Sequence, residues 1–159
     1  MAKRKRKPRS RRWFEELLDR DPCIVTPAVL DALTTKEIGD LGESIAARHL
    51  YDHGYELIEF SYRCAEGEAD LIACDPCDGQ VVLVEVKTRR VSSPRAEIFP
   101  EEAVTARKQS TYRRIAALFA MENFPVPAIR FDVIAVTLIP GYPPAIDHIE
   151  GAFDWDAGL

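Results

Sequence analysis

Gly67-Glu68-Ala69-Asp70-Leu71-Ile72-Ala73-Cys74 and Val81-Val82-Leu83-Val84-Glu85-Val86-Lys87 are the two stretches whose reading decides the fold. Both are rich in the aliphatic and β-branched residues that favour strands. Between them, Asp75-Pro76-Cys77-Asp78-Gly79 is turn chemistry, so strands over 68–74 and 80–87 are expected to form a hairpin. The unbroken apolar run Val81–Val84 predicts a strand buried on both faces. Charged groups are out of place beside such a strand unless they do chemistry or hold an ion. Strand alternation puts Glu68 with Asp70 on one face and Glu85 with Lys87 on one face of the partner. The alternative is a plain Glu–Lys ladder on an exposed sheet.

Working outward, Thr35-Lys36-Glu37-Ile38 reads as a helix start, with Thr35 as N-cap and an acidic residue in the first turn. Ile38, Leu41, Ile45, Ala46 and Leu50 recur at helical spacing over 36–53, and Gly54 is placed to end the helix. Residues 55–63 alternate as a half-buried strand. After a polar loop at 88–98, Pro100-Glu101-Glu102 reads as the start of a helix running to Glu122, with Val104, Lys108, Tyr112, Ile115, Ala116 and Phe119 on or near one stripe. Pro125 and Pro127 interrupt, a strand follows at 130–136, and Ala145–Glu150 offers an edge strand. The order α-β-β-β-α-β, with one further strand, predicts an α/β domain whose mixed four- to five-stranded sheet is flanked by helices. Three parts are expected: an N-terminal extension over 1–35, a domain over 36–153, and a tail over 154–159.

The net charge of −5 conceals a segregation. Residues 1–12 hold eight of the 21 basic groups and no acid, leaving 13 basic against 26 acidic groups, a net of −13, in the rest. Such a tail suits nucleic-acid contact or serves as a solvating, disordered arm. Trp13–Leu18 reads as a short amphipathic helix. Residues 87–114 are net +5, a local phosphate-binding surface or a solvated helix face. The start resembles a signal-peptide n-region, but no apolar stretch follows it, and no run approaches the roughly 20 residues that span a membrane. The cytoplasm is the expected compartment.

An Asp, a Glu and a Lys converging at adjacent strand ends are the groups that metal-assisted phosphodiester hydrolysis uses. Asp70 and Glu85 are the expected ligands of Mg²⁺ or Mn²⁺, with Glu43 from the first helix and Glu68 as further ligand candidates. Glu43, Asp70, Glu85 and Lys87 form the expected catalytic set, with Lys87 orienting the attacking water. Arg63, Arg89 and Lys108 are the candidate phosphate contacts. Cys74 and Cys77 have CxxC spacing but no second pair or nearby histidine pair to complete a zinc site, so free thiols are expected in this turn, with a redox or zinc role as the alternative, and Cys23 and Cys64 carry little weight. His49 and His53 stand one helical turn apart, a geometry open to a transition metal or to simple surface placement, and His148 adds no pattern of its own.

Gly42-Glu43 with Ala46-Ala47, Gly54-Tyr55, Tyr62-Arg63, Gly67–Ile72, Val84–Arg89, Lys108, Arg130–Val133 and Ile146-x-His148-Ile149-x-x-Ala152-Phe153 together resemble the YraN-like bacterial family. That family is similar to a branch of the PD-(D/E)XK nuclease superfamily, which has the restriction-endonuclease-like fold, near the archaeal-type Holliday junction resolvases. The resemblance covers about 36–153, with Ser61 standing where the family usually has Asn. It implies that Glu43, Asp70, Glu85 and Lys87 occupy the nuclease core positions, that DNA, including branched, damaged or single-stranded forms, is the partner, and that a homodimer is the assembly. A non-catalytic nucleic-acid-binding or scaffold protein with the same fold is the alternative.

Overall fold

The computed structural model describes residues 25–93 and 104–156. The basic segment 1–12, the helix expected at 13–18, Cys23, the helix start expected at 100–102 and the last residues of the tail lie outside them.

Among the described residues two helices come first, α1 (Pro27–Ala32) and α2 (Thr35–Asp52). Thr34, not Thr35, caps α2. Its hydroxyl accepts from the Glu37 amide at 3.3 Å, while Glu37 accepts from the Thr34 amide at 2.7 Å. This reciprocal box needs Thr and Glu three residues apart, which selects Thr34. Gly54 follows the helix at φ +85°, as expected of its terminating glycine.

Three strands follow, β1 (Glu56–Cys64), β2 (Gly67–Cys74) and β3 (Val81–Arg90), then α3 (Ala106–Glu122), β4 (Ile129–Leu138) and β5 (Ala145–Phe153). Residues 104 and 105 are not helical, and Thr105 caps α3 by accepting from the Lys108 amide. The helix therefore begins later than its apolar stripe suggests, because the cap marks the turn where the first orphan amides need an acceptor. The sheet order is β1-β2-β3-β4-β5, antiparallel except for the parallel β3–β4 pair that α3 connects. This is the expected mixed α/β sheet flanked by helices, with the fifth strand realised as β5. Val81–Val84 are buried on both faces.

α1 and α2 cover one face, where Leu30, Ala46, Leu50, Val82, Val84 and Ile134 form a core that also takes in Val25. α3 covers the other, packing Tyr112, Ile115 and Phe119 on Ala69, Ile72, Leu83 and Phe131. Val25 and Leu30 fall within the segment 1–35, and both are buried.

Gly42 sets the fit of α2 on the sheet. A Cβ there would lie 1.7 Å from Thr88 Oγ1 and 2.7 Å from Thr88 Cβ, so the helix backbone rests directly on β3. Among the described residues no helix is long and apolar enough to cross a membrane.

Candidate active site

The site forms where two strands part. β2 and β3 stay in register from Cys74↔Val81 to Leu71↔Val84, and the ladder stops there. β2 goes on pairing with β1 to Cys64↔Gly67, and β3 with β4 to Arg90↔Leu138. Asp70 and Glu85 are the first residues past the last β2–β3 pair, and both are partly buried. The Val86 amide donates to Asp70 Oδ2 at 2.8 Å. A side-chain carboxylate thus takes the place of a strand carbonyl.

The β1–β2 ribbon also turns over here. Phe60 and Leu71, which pair, pack on the α2-side core. Tyr62 and Ala69, which also pair, pack on the α3 side. Ser61 has φ +47°, the left-handed conformation that lets the strand switch face. On β2 the change of face falls between Ala69 and Leu71, at Asp70. Glu68 accepts from Arg63 Nε at 2.8 Å, with both side chains well exposed.

α3 supplies the next groups. Tyr112 is fully buried, and its hydroxyl donates to Glu85 Oε2 at 2.5 Å, with the Val84 carbonyl at 3.3 Å as a second acceptor. The same oxygen accepts from the Asp70 amide at 3.4 Å. One hydroxyl thereby spans the gap between the parting strands. Lys108, one turn earlier, places Nζ 3.3 Å from Glu85 Oε2 and 5.5 Å from the Tyr112 ring centroid. Tyr112 lies on the apolar stripe of α3, as its helical spacing predicts. Its hydroxyl, the only polar atom on that buried side chain, was the signal that it needed a partner inside.

Electrostatics bind these groups together. Burial pushes the Asp70 carboxyl up to about 8, and the charge of Glu85, then that of Glu43, adds to the rise. The Val86 hydrogen bond and Lys108 oppose it. Burial and the two carboxylates Asp70 and Glu85 likewise hold the Tyr112 hydroxyl well above its ordinary value, so it remains a donor. Glu43, on the α2 turn beside Gly42, is half-buried and near enough for its charge to act on Asp70. Lys87 is half-buried two residues beyond Glu85 on β3, opposite Ala135 of β4. Arg89 Nε reaches across to Thr137 Oγ1 at 3.4 Å. Asp70, Glu85 and Lys108 are brought together around Tyr112, Glu43 joins them through its charge on Asp70, and Glu68 pairs with Arg63. Among the described residues, no three His, Cys, Asp or Glu side chains are gathered into a ready metal cage.

A second polar cluster lies at the start of β4. Arg130 donates to Asp75 Oδ2 at 2.7 Å and to both Asp132 oxygens at 2.8 and 2.9 Å. Asp132 is fully buried and also takes the Gly151 amide and contacts His148 Nε2 at 2.8 Å. Burial alone would raise the Asp132 carboxyl, but His148, Arg130 and Gly151 together bring it below its ordinary value. The cluster joins the β2–β3 turn to β4 and β5, and its groups satisfy one another. His49 lies beside it, with ring centroids 4.1 Å from His53 and 5.5 Å from His148. Cys64, Cys74 and Cys77 are free thiols.

A model of the family described as "Uncharacterised protein family UPF0102" matches residues 42–136, which run from the Gly42 contact through Asp70, Glu85 and Lys108 to β4. The chain belongs to this family. A UPF0102 protein of Nocardia farcinica (strain IFM 10152) is 44% identical over 117 residues, covering 73% of this chain and 88% of that one. A UPF0102 protein of Trichlorobacter lovleyi (strain ATCC BAA-1151 / DSM 17278 / SZ) is 43% identical over 118 residues, covering 74% and 90%. Among solved structures, a repair endonuclease from Pyrococcus abyssi aligns with a TM-score of 0.37 and 19% identity, covering 69% of this chain and 40% of that chain. The UPF0102 match thus contains all four residues that the site brings together.

Proposed function

We propose that this UPF0102 chain is a divalent-cation-dependent endonuclease of the restriction-endonuclease-like type, hydrolysing phosphodiester bonds of DNA. One observation carries the reading: two carboxylates, Asp70 and Glu85, stand on neighbouring strands just past the point where β2 and β3 part, joined through the Tyr112 hydroxyl, with the charges of Glu85 and Glu43 acting on Asp70. A buried carboxyl beside a second carboxylate, with a third charge near, is a donor set suited to a hard cation, which takes oxygen ligands. Asp70 and Glu85 would hold Mg²⁺ or Mn²⁺, with Glu43 nearby. Bound there, the cation would supply Lewis acidity at a phosphoryl oxygen and lower the pKa of a coordinated water.

The remaining work falls to the chain. Tyr112 and the Val86 amide hold Glu85 and Asp70 in place. Lys87, following Glu85 by two, would orient the attacking water and steady the charge that develops on the phosphate. Arg63 and Arg89, with other basic groups of 87–114, would meet the DNA backbone.

The test is cleavage of four-way-junction, flapped and plain duplex DNA with Mn²⁺, comparing wild type with Asp70→Asn and Lys87→Ala. Cleavage by wild type and its loss in both variants supports the reading. Equal cleavage by all three proteins sinks it. The net charge of −13 outside residues 1–12 favours a second reading, a non-catalytic nucleic-acid-binding protein with the same fold. DNA binding without Mn²⁺ binding would select that reading.

A further inference from the structure

Lys108 occupies an unusual place. It lies in the first turn of α3, where the helix dipole repels a cation, and that turn has no acidic residue. Its ammonium pairs with Glu85, whose side chain is only 14% exposed, while the lysine's own is 41% exposed. The contact is to Oε2, the same oxygen that takes the Tyr112 hydroxyl. A solvent-directed lysine would have avoided both the dipole and the ordering of its stem, so the Glu85 pair holds it there. A divalent cation bound between Asp70 and Glu85 would stand within a few ångströms of this ammonium and draw on the same carboxylate. Two cations so close repel strongly in a partly desolvated site.

We propose that Lys108 is an internal counter-ion for Glu85 that competes with the divalent cation, so that pairing with Lys108 and cation binding at Glu85 exclude each other. The proposal rests on the cation-binding reading of Asp70 and Glu85. Lys108 then sets how tightly the site binds its cation, in place of the phosphate contact expected from the sequence. The half-exposed stem gives the ammonium a route outward when the cation enters. Reciprocity requires that whatever weakens the Lys108–Glu85 pair strengthens the cation.

Calorimetric titration of Mn²⁺ into the full-length chain tests this, with wild type, Lys108→Met and Arg107→Met compared. Arg107 is an exposed neighbour on the same helix and controls for loss of a surface charge. Lys108→Met should bind Mn²⁺ about five- to tenfold more tightly, the scale expected when a half-exposed ion pair and its repulsion of the incoming cation are removed. Arg107→Met should change the affinity by less than about twofold. The Mn²⁺-induced rise in melting temperature should likewise be larger in Lys108→Met than in wild type. If wild type binds Mn²⁺ and Lys108→Met binds equally or less tightly, the competition is overturned while the cation-binding reading stands. Equal tightening in Arg107→Met also overturns it. If neither wild type nor Lys108→Met binds Mn²⁺, the cation-binding reading fails and takes the competition with it.

Discussion

Replacing Gly42 by alanine adds one methyl group to the face of α2 that rests on β3. In an exposed helix this change would stabilise by about 1 kcal/mol, because glycine has the greater freedom to lose. Here the new Cβ would sit 1.7 Å from Thr88 Oγ1 and 2.7 Å from Thr88 Cβ and Cγ2. Rotating Thr88 exchanges one clash for another, so the helix must retreat by well over an ångström. Overpacking of this kind costs about 1–3 kcal/mol, and a retreating helix also loses contact along Ala46 and Leu50. The expected net effect is a loss of about 1–3 kcal/mol, read as a lower urea midpoint at unchanged slope.

A second substitution separates this cause from others. Thr88→Ala removes the two nearest obstacles except Cβ, and it deletes a hydroxyl that is buried with no hydrogen-bond partner among the described residues. By itself it should cost little. Combined with Gly42→Ala it should recover at least 1 kcal/mol relative to the sum of the single changes, roughly the coupling expected of touching residues. The same retreat carries Glu43 away from Asp70, so DNA cleavage by Gly42→Ala should fall on the order of a hundredfold. A Gly42→Ala protein as stable as wild type, or a cycle with no coupling, would refute the direct seating of α2 on β3.

Asp70→Asn should stabilise the cation-free fold, measured by urea unfolding in EDTA. A carboxyl raised from 3.8 to about 8 keeps its proton in the fold while the unfolded chain releases it, so stability falls as pH rises between those values. The span sets a ceiling near 6 kcal/mol, and coupling within the carboxylate cluster leaves a gain of roughly 2–3 kcal/mol at pH 8, none below pH 4; a less stable variant at pH 8 would contradict this. His49 acts in the opposite direction. Burial first, then His53 and His148, bring its imidazole from 6.5 to about 4, so its neutral form is kept and stability is lost as pH falls from 6.5 towards 4. Its half-exposed setting limits this to about 1 kcal/mol, which His49→Gln should abolish in acid unfolding series. Arg130→Met leaves the fully buried Asp132 carboxylate with His148 and the Gly151 amide but no permanent cation, and should cost about 3–5 kcal/mol by chemical denaturation. A loss under 1 kcal/mol would show that the cluster does not depend on its charge balance.

The order of elements, the hairpin over 68–87, the double burial of Val81–Val84 and the place of Asp70 and Glu85 on neighbouring strands could all be read along the chain. Each depends on local pattern: apolar periodicity, turn residues, and charge where charge is costly. The cap of α2 was one residue off because Thr34 and Thr35 look alike until the partner Glu37 is counted three positions on. What no local pattern carries is the direction of a strand that changes face. Ser61 at φ +47° lies where the β1–β2 ribbon changes face, and Glu68 pairs with Arg63. Only the packing of α3 on the sheet decided that Tyr112 and Lys108 meet Glu85, some two dozen residues away in sequence. Only the approach of α2 decided why Gly42 precedes Glu43. Strands, helices and the carboxylates set among apolar residues are legible along the chain, because those preferences are properties of short segments. Which of the charged groups share a site was decided by tertiary structure, because a side chain's partner is set by the element packed across from it.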